Sequence, residues 1–139
     1  MRWVAVAAGA VAFATAGAGC GLNVESPDLF LLTRTGQGHR LSLLVNDGGT
    51  IRCNGGKAKT LPDPLLLQAR GLASSLGGDA QHHLRLPAQR GSVFRYTIRL
   101  QQGTISFPDT ATAGGKFPRL AEVELFAVTA AQQACGLSA

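Results

Sequence analysis

The sequence predicts an α+β domain: an antiparallel sheet of about five strands in the order βββ-α-ββ-α, with two helices packed on one face. Three observations carry that expectation. "SVFRYTIRL" alternates strictly, with Phe94, Tyr96, Ile98 and Leu100 on one side and Arg95, Thr97 and Arg99 on the other, which is the period of a half-buried strand. "LPDPLLLQARGLASSLGG" instead places Leu65, Leu66, Ala69, Leu72, Ala73 and Leu76 at helical spacing. Glycine clusters separate the apolar runs where turns belong.

The first strands come as a hairpin: "DLFLLTRT" and "HRLSLLVN" flank "GQG". Asp47, Gly48 and Gly49 turn the chain into a short strand, Thr50 to Cys53, and Asn54, Gly55 and Gly56 turn it again. Asp63 suits an N-cap and Pro64 the first helical position, where a missing N–H costs nothing. Gly77 and Gly78 are the expected stop. "QHHLRLPAQRG" is a loop with at most a short extended piece. After the alternating strand, "QQG" returns the chain into "TISF", where Ile105 and Phe107 continue the alternation. "PDTATAGG" is a loop. From Phe117 or Pro118, the residues Leu120, Val123, Phe126 or Ala127, and Ala130 suggest a second helix ending near Cys135. Arginines on the outward side of the fourth strand fit a sheet with one wet face.

The chain has 139 residues, room for one domain and a short appendage. Arg2 is the single charged residue before Glu25, and Trp3 to Ala14 is apolar apart from Gly9. A basic start, an apolar run and then small residues match a secretory leader. The run is mostly Ala and Gly, which drive membrane insertion weakly. It ends in "GAGC" followed by Gly21, which resembles the lipobox of bacterial lipoproteins, with Gly17 where that pattern usually has Leu. The resemblance implies a signal peptide over residues 1–19, acylation of Cys20, a tether over residues 20–27 and the domain over residues 28–136. It places the protein outside the cytoplasm, lipid-anchored on the extracytoplasmic side of the cell membrane. Cleavage without lipidation and a retained membrane helix are the other two readings of the leader, and both still export the chain beyond Arg2.

Three cysteines leave an odd one in an exported chain. Lipidation of Cys20 accounts for it, and Cys53 and Cys135 are then free to pair in an oxidising compartment. The alternative is two separate buried thiols. From Cys20 onward, 12 of the 13 Lys and Arg face all 8 Asp and Glu, a net charge of +4 against +5 for the whole chain. The basic residues are scattered, as on a solvated face, with weak attraction to anionic headgroups as the charged-surface alternative. Neither motif nor compartment supports a nucleic-acid partner.

The sequence points away from an enzyme. The local signatures of hydrolase, zinc-protease and thiol-redox sites are missing. His82 and His83 are adjacent, so an extended backbone points them apart, and His39 has no Cys, Asp or Glu at ligand spacing. No metal or cofactor is expected. "GQG" and "NGG" neither carry a Gly-Lys-Ser/Thr ending nor open a helix directly, so they read as turns and not phosphate loops. Asp47, Asp63, Asp79 and Asp109 mostly occupy turn or cap positions. Glu122 and Glu124 are two apart and do not share a helix face.

The succession "FLLTRTGQG", "LSLLVNDGG", "LPDPLLLQARGL" and "SVFRYTIRL", then a return strand and a terminal helix, resembles the protealysin-inhibitor (emfourin-like) family of bacterial metalloprotease inhibitors. The resemblance covers roughly residues 29–128, and implies an α+β fold and binding to a protease. An inhibitor needs a stiff loop that enters a cleft. The candidates are the hairpin tip at Gly36, Gln37 and Gly38, and the loop ending in Gly114, Gly115 and Lys116; both also read as plain solvent loops. The expected function is a non-enzymatic protein-binding module at the cell envelope, with an envelope or secreted protein as partner. The alternative is a protease inhibitor.

Overall fold

A computed structural model describes residues 26–138; the leader and Cys20 lie outside the described residues. Strands β1 (Asp28–Gly36), β2 (His39–Asn46), β3 (Thr50–Cys53), β4 (Ala58–Thr60), β5 (Arg95–Leu100) and β6 (Thr104–Pro108) form one sheet in the order β4-β3-β2-β1-β5-β6. Every neighbouring pair is antiparallel. Helices α1 (Asp63–Ser75), α2 (Gly77–Gln81) and α3 (Pro118–Gln133) complete the α+β architecture.

The alternation read in the sequence decides which face the helices take. Phe30 and Leu32 of β1, Leu41, Leu43 and Val45 of β2, Ile51 of β3, Tyr96, Ile98 and Leu100 of β5, and Ile105 and Phe107 of β6 are all buried. They meet Leu65, Ala69 and Leu72 of α1 and Leu120, Val123, Phe126, Ala127 and Ala130 of α3 in one core cluster. Phe30 and Phe126 pack edge-on, with centroids 5.5 Å apart, the arrangement ring quadrupoles prefer. Each fully buried large side chain contributes about 1.5–3 kcal/mol relative to exposure.

The structure departs from the local signals in three places. The sixth strand, β4, has no counterpart in the expected order. It is exposed throughout, with Lys59 in it and Lys57 beside it, a polar edge strand with no apolar pattern to read. The helix α1 starts one residue earlier than its capping signal: Pro62 takes the N-cap with φ −55° and ψ 141°, and no side chain caps it. Asp63 lies in the first turn, where a carboxylate faces the positive end of the helix dipole. Gly77 and Gly78 do not stop the chain in a left-handed turn. Leu76 ends α1 in the right-handed region, and the two glycines open α2, which buries Ala80.

Two ties hold the helices to the sheet. Cys53 of β3 and Cys135, just after α3, form a disulfide with Cα atoms 6.0 Å apart across a sequence separation of 82. The Arg70 side chain of α1 meets Asp47 in the β2–β3 turn, donating to its carboxylate at 2.6 Å and its carbonyl at 2.8 Å. That exposed pair is worth little by itself, but it fixes α1 over the turn.

Closing a loop of that length in the unfolded chain accounts for up to about 4.5 kcal/mol in the chain-entropy view. Cys53→Ser with Cys135→Ser should therefore lower unfolding stability by about 2–5 kcal/mol, read from denaturant midpoints against the oxidised protein. Two glycines should respond in opposite directions. A Cβ at Gly103 would run into the Ala80 carbonyl group, coming within 2.9 Å of its carbon, so Gly103→Ala should cost about 1–3 kcal/mol. Gly71 is exposed inside α1 with nothing within 4 Å of a Cβ, so Gly71→Ala should stabilise by about 0.5–1 kcal/mol. Thermal melts of the two variants check both signs.

Candidate functional site

The β1–β2 hairpin closes through Gln37 and Gly38, at φ 52° and 74°, between the paired residues Gly36 and His39. Two left-handed residues give a turn whose twist matches the flanking strands, and glycine serves one of those positions without strain. Gly36 is needed for a different reason. A Cβ there would strike the Val93 carbonyl oxygen and the Phe94 ring, so the hairpin tip lies directly against the segment that leads into β5.

The register places a second loop at the same end of the sheet. Thr35 pairs with Arg95, and Arg95 pairs with Pro108. The chain that leaves β6 therefore emerges beside the hairpin tip and runs as short 3-10 turns from Asp109 to Gly115. Gly114 and Gly115, at φ 77° and 71°, then turn it through Lys116 into α3.

Asp109 fastens the two parts. Its carboxylate accepts from the Val93 N–H at 3.2 Å and the Phe94 N–H at 3.1 Å, and its own N–H donates to the Phe94 carbonyl at 3.0 Å. Ser92 and Thr110 hydroxyls are 2.8 Å apart. The Arg34 guanidinium lies 4.9 Å from the centre of the Phe94 ring, within cation–π range. Loop residues so anchored lose less freedom when a partner engages them.

Beneath these loops sit Tyr96 and Glu124. The Thr112 hydroxyl lies 3.0 Å from the Asp109 carbonyl oxygen and 3.1 Å from both Glu124 carboxylate oxygens. Its single proton can serve one of these acceptors at a time. Burial raises the Glu124 pKa from its ordinary value of 4.5; the Thr112 hydrogen bond opposes the shift and the Asp109 charge adds to it. Burial also raises Tyr96, and the Glu124 charge reinforces it while Arg34 opposes it. The Tyr96 ring stacks on Phe107 at 5.4 Å.

Among the site residues expected from the sequence, Gly36, Gln37 and Gly38 form the hairpin tip, and Gly114, Gly115 and Lys116 the turn into α3. Residues 92–94 join the hairpin tip to Asp109 and Thr110 at the start of the 3-10 segment, whereas a Cβ at Gly114 or Gly115 would meet nothing within 4 Å. Cys53 and Cys135 are joined. Cys20 lies outside the described residues. His39, His82 and His83 are exposed, with His82 Nδ1 2.8 Å from the Gly78 carbonyl oxygen. Among the described residues no three of His, Cys, Asp and Glu converge to hold a metal, and no helix is long and apolar enough to cross a membrane.

The juxtaposition of Asp109, Thr112, Glu124, Tyr96 and Arg34 escaped sequence reading. Its members come from β1, β5, the 3-10 segment and α3, and no local spacing records that meeting. The signal nearest to it was Asp109 after a strand-ending proline, which pointed to a turn. Comparison with known proteins finds no matching family model, no matching curated protein and no matching solved structure.

Because folding raises the Glu124 pKa, the folded state binds a proton more tightly there than the unfolded chain does. The resulting stabilisation is complete below pH 4.5, and is lost as the pH rises through the elevated folded value. Glu124→Gln keeps an acceptor for Thr112 without that titration. Denaturant midpoints measured from pH 4 to pH 8 should fall more steeply with rising pH for the native protein than for the variant.

Proposed function

We propose that the protein is an exported, lipid-anchored envelope protein whose domain binds a protein partner through the loop end of its sheet, without catalysis. The observation that carries this reading is the Asp109 carboxylate fastening residues 93 and 94, against which the hairpin tip packs at Gly36. The arrangement leaves Gln37 and Gly38 exposed on a stiff base beside Val93, itself 45 % exposed, with Lys116 exposed past the far end of the 3-10 segment. A pre-ordered patch of this kind suits association, since little loop entropy is lost on docking. The lipobox-like "GAGC" supports the anchor, and the disulfide between Cys53 and Cys135 accords with an oxidising compartment.

A second reading, protease inhibition, is favoured by the same stiffness, because a loop that cannot relax is a poor substrate once it occupies a cleft. Both readings place the contact at the same residues and differ in the partner. Mass spectrometry of the native product should find an acylated Cys20 at the N-terminus and no Met1; an intact leader would overturn the anchor. Crosslinking in intact envelopes should trap one principal protein partner. Val93→Ser combined with Lys116→Ala should weaken that capture at least about tenfold, since few interface residues carry most of the energy. Glu122→Gln, on the exposed side of α3, should leave it unchanged. Equal capture by both variants would exclude the loop end as the contact. Inhibition of a secreted metalloprotease at micromolar concentration would select the second reading.

A further inference from the structure

The face of the sheet opposite the helices carries a distinct charge pattern. Its residues are fixed by the register. Ala58, Arg52, Leu44, Leu31, Arg99 and Thr104 form one row across all six strands. Ser42, Thr33, Thr97 and Ser106 form the next. Arg40, Thr35, Arg95 and Pro108 form the third. Arg85 extends the middle row, since it bridges to Ser106 in parallel beyond β6. Five arginines thus share one open face, spread over about 24 Å from β3 to beyond β6, given strand spacings near 4.8 Å.

The carboxylates lie elsewhere, with one exception. Asp63 and Asp79 begin α1 and α2, Glu122 and Glu124 belong to α3, Asp109 is engaged by the loops and Asp47 by Arg70. Asp28 alone among the described carboxylates lines the open face, at its rim, where Asn46 donates to it at 3.2 Å. Arg95 spends its guanidinium on Ser106 and the Leu86 carbonyl, and Arg52 reaches the Gly56 carbonyl. None of the five arginines makes an ion pair with a described residue. Arg40, Arg52, Arg85 and Arg99 are exposed.

The chain enters the domain at this same face. Asp28, the first residue of β1, lines a shallow hollow with Leu44, Asn46, Thr50, Arg52 and Ala58. Residues 21–27 can span at most about 25 Å fully extended, so an anchor at Cys20 keeps the arginine face within reach of the bilayer.

We infer that this open sheet face lies on the anionic lipid headgroups of the membrane that holds the anchor, a second contact beyond the acyl chains. The inference rests on the lipid-anchored reading for its geometry. Charges dispersed over a broad, open face suit mobile headgroups, which rearrange beneath them. The loop end lies along the strand axis from this face, at its margin, and stays free to meet a protein. Each basic residue close to an anionic leaflet raises partitioning roughly fivefold, and salt screens the effect within a Debye length of about 10 Å at 0.1 M.

The test uses the mature protein as the cell delivers it, on neutral phosphatidylcholine vesicles and on vesicles with about a third phosphatidylglycerol. Acyl chains alone bind both equally. The native protein should partition at least about tenfold more strongly onto the anionic vesicles at 0.1 M salt, and lose that gain at 0.5 M. Arg40→Gln, Arg52→Gln and Arg99→Gln combined should cut the gain at least about tenfold while neutral-vesicle binding persists; the same positions changed to Lys should retain it. A thermal melt of each variant verifies folding. No gain on anionic vesicles, or an undiminished gain in the Gln variant, overturns the inference. Loss of neutral-vesicle binding in the native protein instead refutes the anchor, and leaves the charge-dependent gain to be read independently. An acidic protein captured through these arginines, with no vesicle gain, replaces lipid by protein and likewise overturns it.

Discussion

The burial of β1 between β2 and β5, with Phe30 set edge-on against Phe126 of α3, is the contact on which the other elements depend. A central strand has both edges bonded, so it can neither shift register nor twist away without breaking two ladders at once. Its inward residues Phe30 and Leu32 are 2 % and 1 % exposed. A one-residue slip would send them to the wet face and bring Leu31 and Thr33 onto the helices. The hairpin register, the return of β5 and the seating of α3 therefore specify one another. Cooperative agreement of this kind separates a single packed state from alternatives of similar composition.

The asymmetry of the sheet comes from the same constraint. Three helices collect on one side because the apolar residues of five strands face that way, and the remaining side is left with Arg, Thr, Ser and two half-buried leucines. Charge separates along with hydrophobicity. Asp63 and Asp79 sit in the first turns of α1 and α2, where the macrodipole favours them, and Glu122 and Glu124 belong to α3. The arginines alternate with core residues along β2, β3 and β5. A domain of modest net charge thereby acquires a strongly basic face, a property no average over the chain reveals.

The loop end illustrates how a site can be stiff outside regular secondary structure. Val93 and Phe94 precede β5 and lack ladder partners for their N–H groups; the Asp109 carboxylate supplies them. Unmet donors at such a position would cost about 1–3 kcal/mol each if buried. Glu124 has the opposite character. Its environment disfavours the charged form, and it is retained beside Thr112 where an uncharged acceptor would pack with less penalty. Asp109 thus fastens the segment leading into β5, while burial raises the Glu124 pKa at its place beside Thr112.

The α+β class, the strands β1, β2, β3, β5 and β6 and the helices α1 and α3 were legible in the sequence because each contains its own signal: a period, a turn, a proline at a helix start. Pairing of Cys53 with Cys135 came from counting, and the structure brings the two together. The edge strand β4 was not legible, because an exposed polar segment takes its conformation from the neighbour it pairs with. The continuation through Gly77 and Gly78 was likewise a tertiary choice, made by the burial of Leu76 and Ala80 against a local preference for stopping. The sequence alone marked Gly36, Gln37, Gly38, Gly114, Gly115 and Lys116 as turns. Only the register of β1, β5 and β6 brought the hairpin tip and the start of the 3-10 segment to one end, and the arginines to one face. Periodicity is carried by near neighbours along the chain, whereas adjacency between distant segments arises only when the core forces them together.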